Sequence, residues 1–203
     1  NRGIQAGAFY YLLKPFSKNH LLSIVEAAIK GFTSYQHVVN VHHNQPENSL
    51  LLVRAHFTYQ TIEQAQNLTP ILTQFTPNPQ KVAIGLFELL VNAVEHGNLG
   101  IGYHKKTTLI ENDKLKDEIT KRLSLEKNKH KFVDVVIERK ERLITITIQD
   151  MGDGFDSQPY LDFSIERAMD NHGRGIMMAR KLSFDQVHFS KKGNVAYCTV
   201  YID

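Results

Sequence analysis

Glu88, Asn92, Glu95 and His96 fall within the stretch FELLVNAVEHGNLG, Phe87 to Gly100. At about 100° per residue these polar side chains share roughly one third of a helix circumference. Leu86, Leu89, Leu90, Ala93 and Val94 take the opposite side. A Glu at a pocket edge can take a proton from water or from a hydroxyl. An Asn one turn later can offer its carbonyl oxygen to Mg²⁺, an ion that keeps several waters and borrows phosphate oxygens. Taken alone, the helix reads more simply as one whose polar edge faces solvent, and Glu95 reads as solvent-facing in either case.

Two further stretches belong with it. In DMGDGFD, residues 150–156, Asp150 directly follows an apolar strand, and Gly152 and Gly154 come at alternate positions. A carboxylate at a strand end accepts hydrogen bonds from a ligand, and glycines let the backbone approach closely. By itself the heptapeptide is more simply a tight turn. A calcium loop starting at Asp150 is excluded, because the twelfth position, which needs a bidentate Glu, is Leu161. In HGRGIMMAR, residues 172–180, Gly173 and Gly175 precede an apolar helix. Such a junction presents free amide N–H groups and the positive end of a helix dipole, suited to phosphate. An ordinary helix opened by glycine accounts for it equally well. The spacing half-matches a dinucleotide fingerprint, but no apolar strand immediately precedes it, and the P-loop pattern is missing.

Elements must hold these stretches together. AFYYLL (8–13) predicts a strand running into Lys14-Pro15. From Ser17 a helix follows whose apolar side includes Leu21, Leu22, Val25 and Ile29. The polar HHNQPENS (42–49) marks a boundary between residues 1–41 and a domain over 42–203. LLLVRAHFTYQ (50–60) predicts a strand. Residues 61–75 predict a helix in which Pro70 is awkward unless it kinks or splits it. The helix carrying Glu88 starts near Pro79 and ends at Gly97, a residue type suited to helix ends. Residues 103–131 are very polar and helical in composition, an excursion assigned to no site. KFVDVVIER and LITITIQD form a hairpin turned by Lys140-Glu141-Arg142. DQVHFS and VAYCTVYI form another across KKGN. The order predicts an α+β fold with a largely antiparallel sheet.

Composition narrows the function classes. A formal charge of +3 is too weak to imply direct nucleic-acid binding, and no basic run carries the interleaved aromatics of single-strand binders. No segment approaches the roughly 18 apolar residues of a membrane span. The single cysteine, Cys198, excludes an intrachain disulfide framework and reads as a buried strand position. The expectation is a reduced, cytoplasmic protein. Its start lacks Met and opens mid-pattern, so it reads as a piece of a longer chain.

ELLVNAVEHGN, DMGDGFD and HGRGIMMARKLS, in that order, resemble the N, G1 and G2 boxes of the GHKL ATPase superfamily, in particular its anti-sigma-factor serine kinases. The resemblance spans roughly residues 50–203. It implies a two-layer α/β sandwich of the Bergerat type, its mostly antiparallel mixed sheet covered by helices on one face. It implies ATP or ADP with Mg²⁺ as ligands. Glu88 would then be the catalytic base and Asn92 the Mg²⁺ ligand, and Asp150 would accept from the adenine amino group. Gly152 and Gly154 would pass close to the base, and Gly173 and Gly175 would shape the phosphate site with Arg174 nearby. His96 matches a frequent residue of the first box.

The partner implied is an anti-sigma-factor antagonist or a sigma-factor-like protein, either phosphorylated or sequestered without phosphotransfer. A histidine-kinase-like ATPase is a further alternative. Its usual preceding helix is not apparent, although His37, His42 and His43 stand near the linker. AGAFYYLLKPFSKNHLLSIVEAAI resembles the end of a response-regulator receiver domain, with Lys14 at the place of the lysine that contacts the phosphorylated aspartate. That makes the chain the output part of a response regulator, and the apolar side of residues 17–39 a candidate homodimer surface.

Overall fold

Strict alternation in VDVVIERK and LITITIQ gives strands with one buried and one open face. Val133, Val135 and Ile137 of the first, and Ile144, Ile146 and Ile148 of the second, point inward and are buried. The computed structural model describes residues 51–157, 160 and 175–202, with Lys18, Leu21, Leu22 and Val25 besides. Along the chain these form β1 (Arg54–Tyr59), α1 (Ile62–Thr73), α2 (Pro79–Asn92), α3 (Tyr103–Glu111), α4 (Leu115–Leu123) and α5 (Glu126–Lys129). There follow β2 (Val133–Lys140), β3 (Leu143–Gln149), α6 (Gly175–Met178), β4 (Gln186–Phe189) and β5 (Val195–Tyr201). The receiver-like segment, Lys14 and most of the 17–39 helix lie outside the described residues, as do Gly173 and Arg174.

The strands make one sheet in the order β1-β2-β3-β5-β4. Every pairing among the described strands is antiparallel, in keeping with the mostly antiparallel sheet expected. The α+β class and the helical layer on one face are as expected. Lys140 pairs with Leu143, so the first hairpin turns on Glu141 and Arg142 alone, with Glu141 at φ 51°. Cys198 sits opposite Ile146 on β3 and Val187 on β4. It is fully buried, and burial pushes its thiol well above the usual range.

The helical layer is built by α1 and α2. Thr61 caps α1 with a reciprocal box: Gln64 N donates to Thr61 Oγ1 at 3.2 Å, and Thr61 N donates to Gln64 Oε1 at 3.1 Å. Pro70 removes one amide from the ladder, yet α1 runs unbroken to Thr73, so it neither splits nor ends the helix. Leu68 and Leu72 of α1 join Leu86, Leu89 and Leu90 of α2 against the inner sheet face. Burying each such side chain stabilises the fold by about 1.5–3 kcal/mol.

After Asn92 the helix does not stop. It continues as a π-wound segment, Ala93–Asn98, in which Leu99 N donates to Val94 O at 2.9 Å. A second π-wound segment, Ala179–Ser183, follows α6. The two helices meet at Gly85, whose missing Cβ would lie 2.5 Å from Ser183 Oγ and 2.6 Å from Ala179 Cα.

π winding changes which side chains face in. With more residues per turn than the 3.6 of an α-helix, positions beyond Asn92 rotate away from the ideal wheel. Glu95, expected in solvent, is buried at 3% exposure and lies 2.5 Å from Lys106 Nζ of α3. Breaking a buried ion pair strands the other charge. Glu95→Ala is therefore expected to cost about 3 kcal/mol, read as a lower urea midpoint; an unchanged midpoint would mean that the pair contributes nothing. Gly97 does not end the helix either. The left-handed residue that releases the chain is Gly100, at φ 61°.

Candidate functional site

The cavity lies between α2 with its π extension and the inner face of β3 and β5. It measures about 360 Å³, and Asn92, His96, Asp150 and Gly154 all contribute to its lining. Glu88 and Gly175 meet beside it: a Cβ on Gly175 would stand 2.5 Å from Glu88 Oε2. Their chain neighbours Leu89 and Ile176 line the cavity, so this contact borders it. Gly152 is set behind Asp150, where a side chain would run into the Gly97 carbonyl. Of the site residues expected from the sequence, Gly173 and Arg174 alone lie outside the described residues.

Asp150 is where strand geometry and loop geometry meet. β3 ends one residue earlier, and Asn194, the residue before β5, holds the end in place through Asp150 N to Asn194 O at 3.0 Å and Asn194 Nδ2 to Asp150 O at 3.1 Å. The chain then turns so that Gly152 N donates to Asp150 Oδ1 at 2.8 Å. Gly97 fits against the carboxyl group so closely that a Cβ there would overlap it. Burial pushes the Asp150 carboxyl up, while the Gly152 amide, Lys192 and Lys131 pull it back down. Gly154, at φ 81°, passes directly over the Lys192 carbonyl, and Lys192 Nζ donates to Gly152 O at 2.9 Å. A side chain at 154 would meet both backbone strain and that carbonyl.

His96 is fixed from behind. Its Nδ1 lies 2.5 Å from the Ile101 carbonyl. Burial, and then Lys106, lowers the imidazole below its ordinary value, so the ring is neutral at pH 7. A carbonyl oxygen only accepts, so Nδ1 carries the proton and Nε2 is left as an acceptor.

Several contributors had no motif to announce them. Tyr103 and Gly102, at the start of the polar excursion, form part of the wall. So do Phe155, Tyr160 and Phe189, an aromatic group with edge-to-face centroids 5.6 Å (Phe155–Tyr160) and 5.4 Å (Phe155–Phe189) apart. Phe155 stands inside the DMGDGFD stretch; Phe189 was visible only as a strand residue.

The excursion, assigned to no site from the sequence, thus contributes Tyr103 to the cavity wall. Arg122 Nη1 of α4 donates to Leu99 O at 2.5 Å and to Gly100 O at 2.9 Å. Lys131 Nζ donates to Asn98 O at 2.9 Å.

The volume is within the range of small-ligand pockets, which are mostly apolar with a few placed polar groups. Apolar walls from Leu89, Ala93, Ile148 and Ala196, with acceptors at Asp150 and His96, suit a flat heterocycle that carries an amino donor. The glycines at 97, 152, 154 and 175 supply close approaches that any side chain would fill. For a divalent ion the Asn92 side chain offers an oxygen donor in the cavity wall. Among the described residues no cluster of three or more His, Cys, Asp or Glu could hold a metal, so phosphate and water would have to complete such an ion's shell.

A family model described as histidine kinase-like ATPase domain matches residues 62–199. The chain belongs to this family. The histidine kinase-like ATPase domain thus runs from the start of α1 through almost all of β5 and includes every described residue of the cavity. It is an ATP-binding module of the GHKL type. Comparison with curated proteins returns no match. Among the described residues, no helix of this ATPase domain is long and apolar enough to cross a membrane.

Proposed function

We propose that the chain is an ATP- and Mg²⁺-binding serine/threonine protein kinase of the anti-sigma-factor kinase type, acting in the cytoplasm as the output part of a response regulator. Its acceptor is an anti-sigma-factor antagonist; a sigma-factor-like protein is the partner in the alternative of sequestration without phosphotransfer. The observation that carries the reading is the single cavity that unites Asn92, His96, Asp150 and Gly154, with Glu88 against Gly175 at its border.

In this reading Asp150 takes the base amino group and His96 lies beside it. Asn92 holds the metal, which when bound supplies positive charge to the phosphates. Glu88 stands about 13 Å along the helix from Gly97, at 1.5 Å per residue, and so at the phosphate end. There its carboxylate accepts the proton of an incoming hydroxyl. Ile176 and the adjoining apolar wall keep water from competing.

The test is label transfer from γ-labelled ATP with Mg²⁺ to a co-encoded anti-sigma-factor antagonist. Label on a serine or threonine of that protein is the expected result. Complex formation with no label under any condition would replace the kinase by a nucleotide-dependent sequestering module. Label on a histidine of the chain itself would favour an autokinase.

A further inference from the structure

Residues 99–102 form a short connection with little secondary structure of their own, of which Gly100, Ile101 and Gly102 line the cavity. Gly100 is left-handed; the segment is tied to the preceding helix by Leu99 N to Val94 O at 2.9 Å, Ile101 N to Glu95 O at 2.8 Å and the His96 contact to Ile101 O, and to α3 by Lys106 N to Gly102 O at 2.9 Å. α4 adds a side-chain hold of its own. A single nitrogen, Arg122 Nη1, spans two successive carbonyls, Leu99 O and Gly100 O.

The guanidinium is itself oriented. Its Nε donates to Glu118 Oε1 at 2.8 Å, and Lys105 Nζ lies 2.8 Å from the same oxygen. Hydrogen bonds from Lys105 and Arg122 lower the Glu118 carboxyl to about 2, so it is charged at neutral pH. Asn128 Nδ2 closes the arrangement by donating to the Arg122 carbonyl at 2.9 Å. A planar fork fixed at one edge and bonding at the other is an arrangement that a flexible ammonium does not reproduce.

Gly100, Ile101, Gly102 and Tyr103 all line the cavity. Gly97, next to this wall, packs on Asp150, and both line the cavity, whereas Glu88 and Gly175 meet at its border without lining it. We propose that Arg122 is a positioning residue for the nucleotide, holding the 99–103 wall against the base and sugar end. The inference rests on the nucleotide reading above. It gives the polar excursion a role, because α3 and α4 then complete a cavity that the three sequence boxes leave open on one side.

The experiment compares wild type, Arg122→Gln and Arg122→Lys in calorimetric titrations with Mg²⁺-ADP and, separately, with adenosine. Arg122→Gln is expected to weaken both ligands by the same factor, about tenfold, the scale of losing charge-assisted hydrogen bonds that place the wall. Arg122→Lys, which can reach one carbonyl, falls between. An equal loss for adenosine is the decisive sign, because adenosine lacks the phosphates at the other end. A purely structural role would lower the melting temperature of the ligand-free variants and leave the affinity of the folded protein unchanged; that result overturns the proposal. A loss confined to ADP overturns it too. If Arg122→Gln does not fold, unchanged affinities in Arg122→Lys overturn it, and an equal loss for both ligands supports it. Failure of wild type to bind either ligand, unlike these results, removes the nucleotide reading itself and this inference with it.

Discussion

Asp150→Asn is expected to weaken ADP binding about a hundredfold without weakening the fold. The change conserves shape and replaces a carboxylate by an amide. Asn can keep its oxygen toward the Gly152 amide, where Asp150 Oδ1 now accepts at 2.8 Å. The amide NH₂ then faces the cavity. A donor on the ligand, formerly bonded to a charged acceptor, meets another donor and is left buried and unsatisfied. Losing a charge-assisted hydrogen bond and stranding its donor amounts to roughly 3 kcal/mol, which is about two decades in affinity.

Stability goes the other way. Because burial raises the Asp150 pKa, the folded protein holds that proton to higher pH than the unfolded chain does. Its contribution to stability is present below the ordinary carboxylate range and is lost as pH rises through the raised value. At pH 7 the variant therefore escapes the cost of a buried charge, and its ligand-free melting temperature is expected to equal or exceed that of wild type. Calorimetric titration and thermal melting of the same two samples check both halves. Affinity within a factor of about three of wild type would take Asp150 out of base recognition.

Glu88→Ala separates binding from chemistry. Under the kinase reading it lowers the rate of phosphate transfer by about 10²–10⁴-fold, the span of a lost general base. ADP affinity stays near that of wild type, because Glu88 adjoins Gly175 and does not line the cavity. The carboxylate is half-buried at the place where the two glycine-flanked elements touch, so removing it leaves space and no new clash. Single-turnover transfer with saturating Mg²⁺-ATP is the measurement. Transfer at the wild-type rate, with binding intact, assigns the proton to another group.

Much of the fold was legible because it is local. The apolar side of α2 and its π extension, from Leu86 to Val94, and the alternation of β2, β3 and β5 each follow from residues a few positions apart. The cavity's charged and glycine positions were legible because each falls at an element's end, where sequence motifs form.

What failed was long-range or depended on winding. Glu95 was misplaced because an ideal wheel assumes 3.6 residues per turn throughout, and the helix loosens after Asn92. Gly97 looked like a helix end, but its lack of a side chain serves the approach of Asp150, distant in sequence. Arg122 sits 23 residues from Leu99, and Lys131 sits 33 from Asn98, so no periodicity joined them. The polar excursion was therefore assigned to no site, although Leu109, Leu115, Ile119 and Leu123 pack against the core. Pro70 was awkward by local rules, and the Thr61 cap together with buried Leu68 and Leu72 supports the helix on both sides of it.

Cys198, the chain's single cysteine, is sealed between its neighbours on β3 and β4, with its thiol kept protonated. The exterior is consequently blank to maleimide dyes. An engineered cysteine on the outer turn of α3 or α4 could carry a fluorophore in an otherwise native background. Movement of the cavity wall could then be followed optically, in real time, with no need to remove the natural thiol.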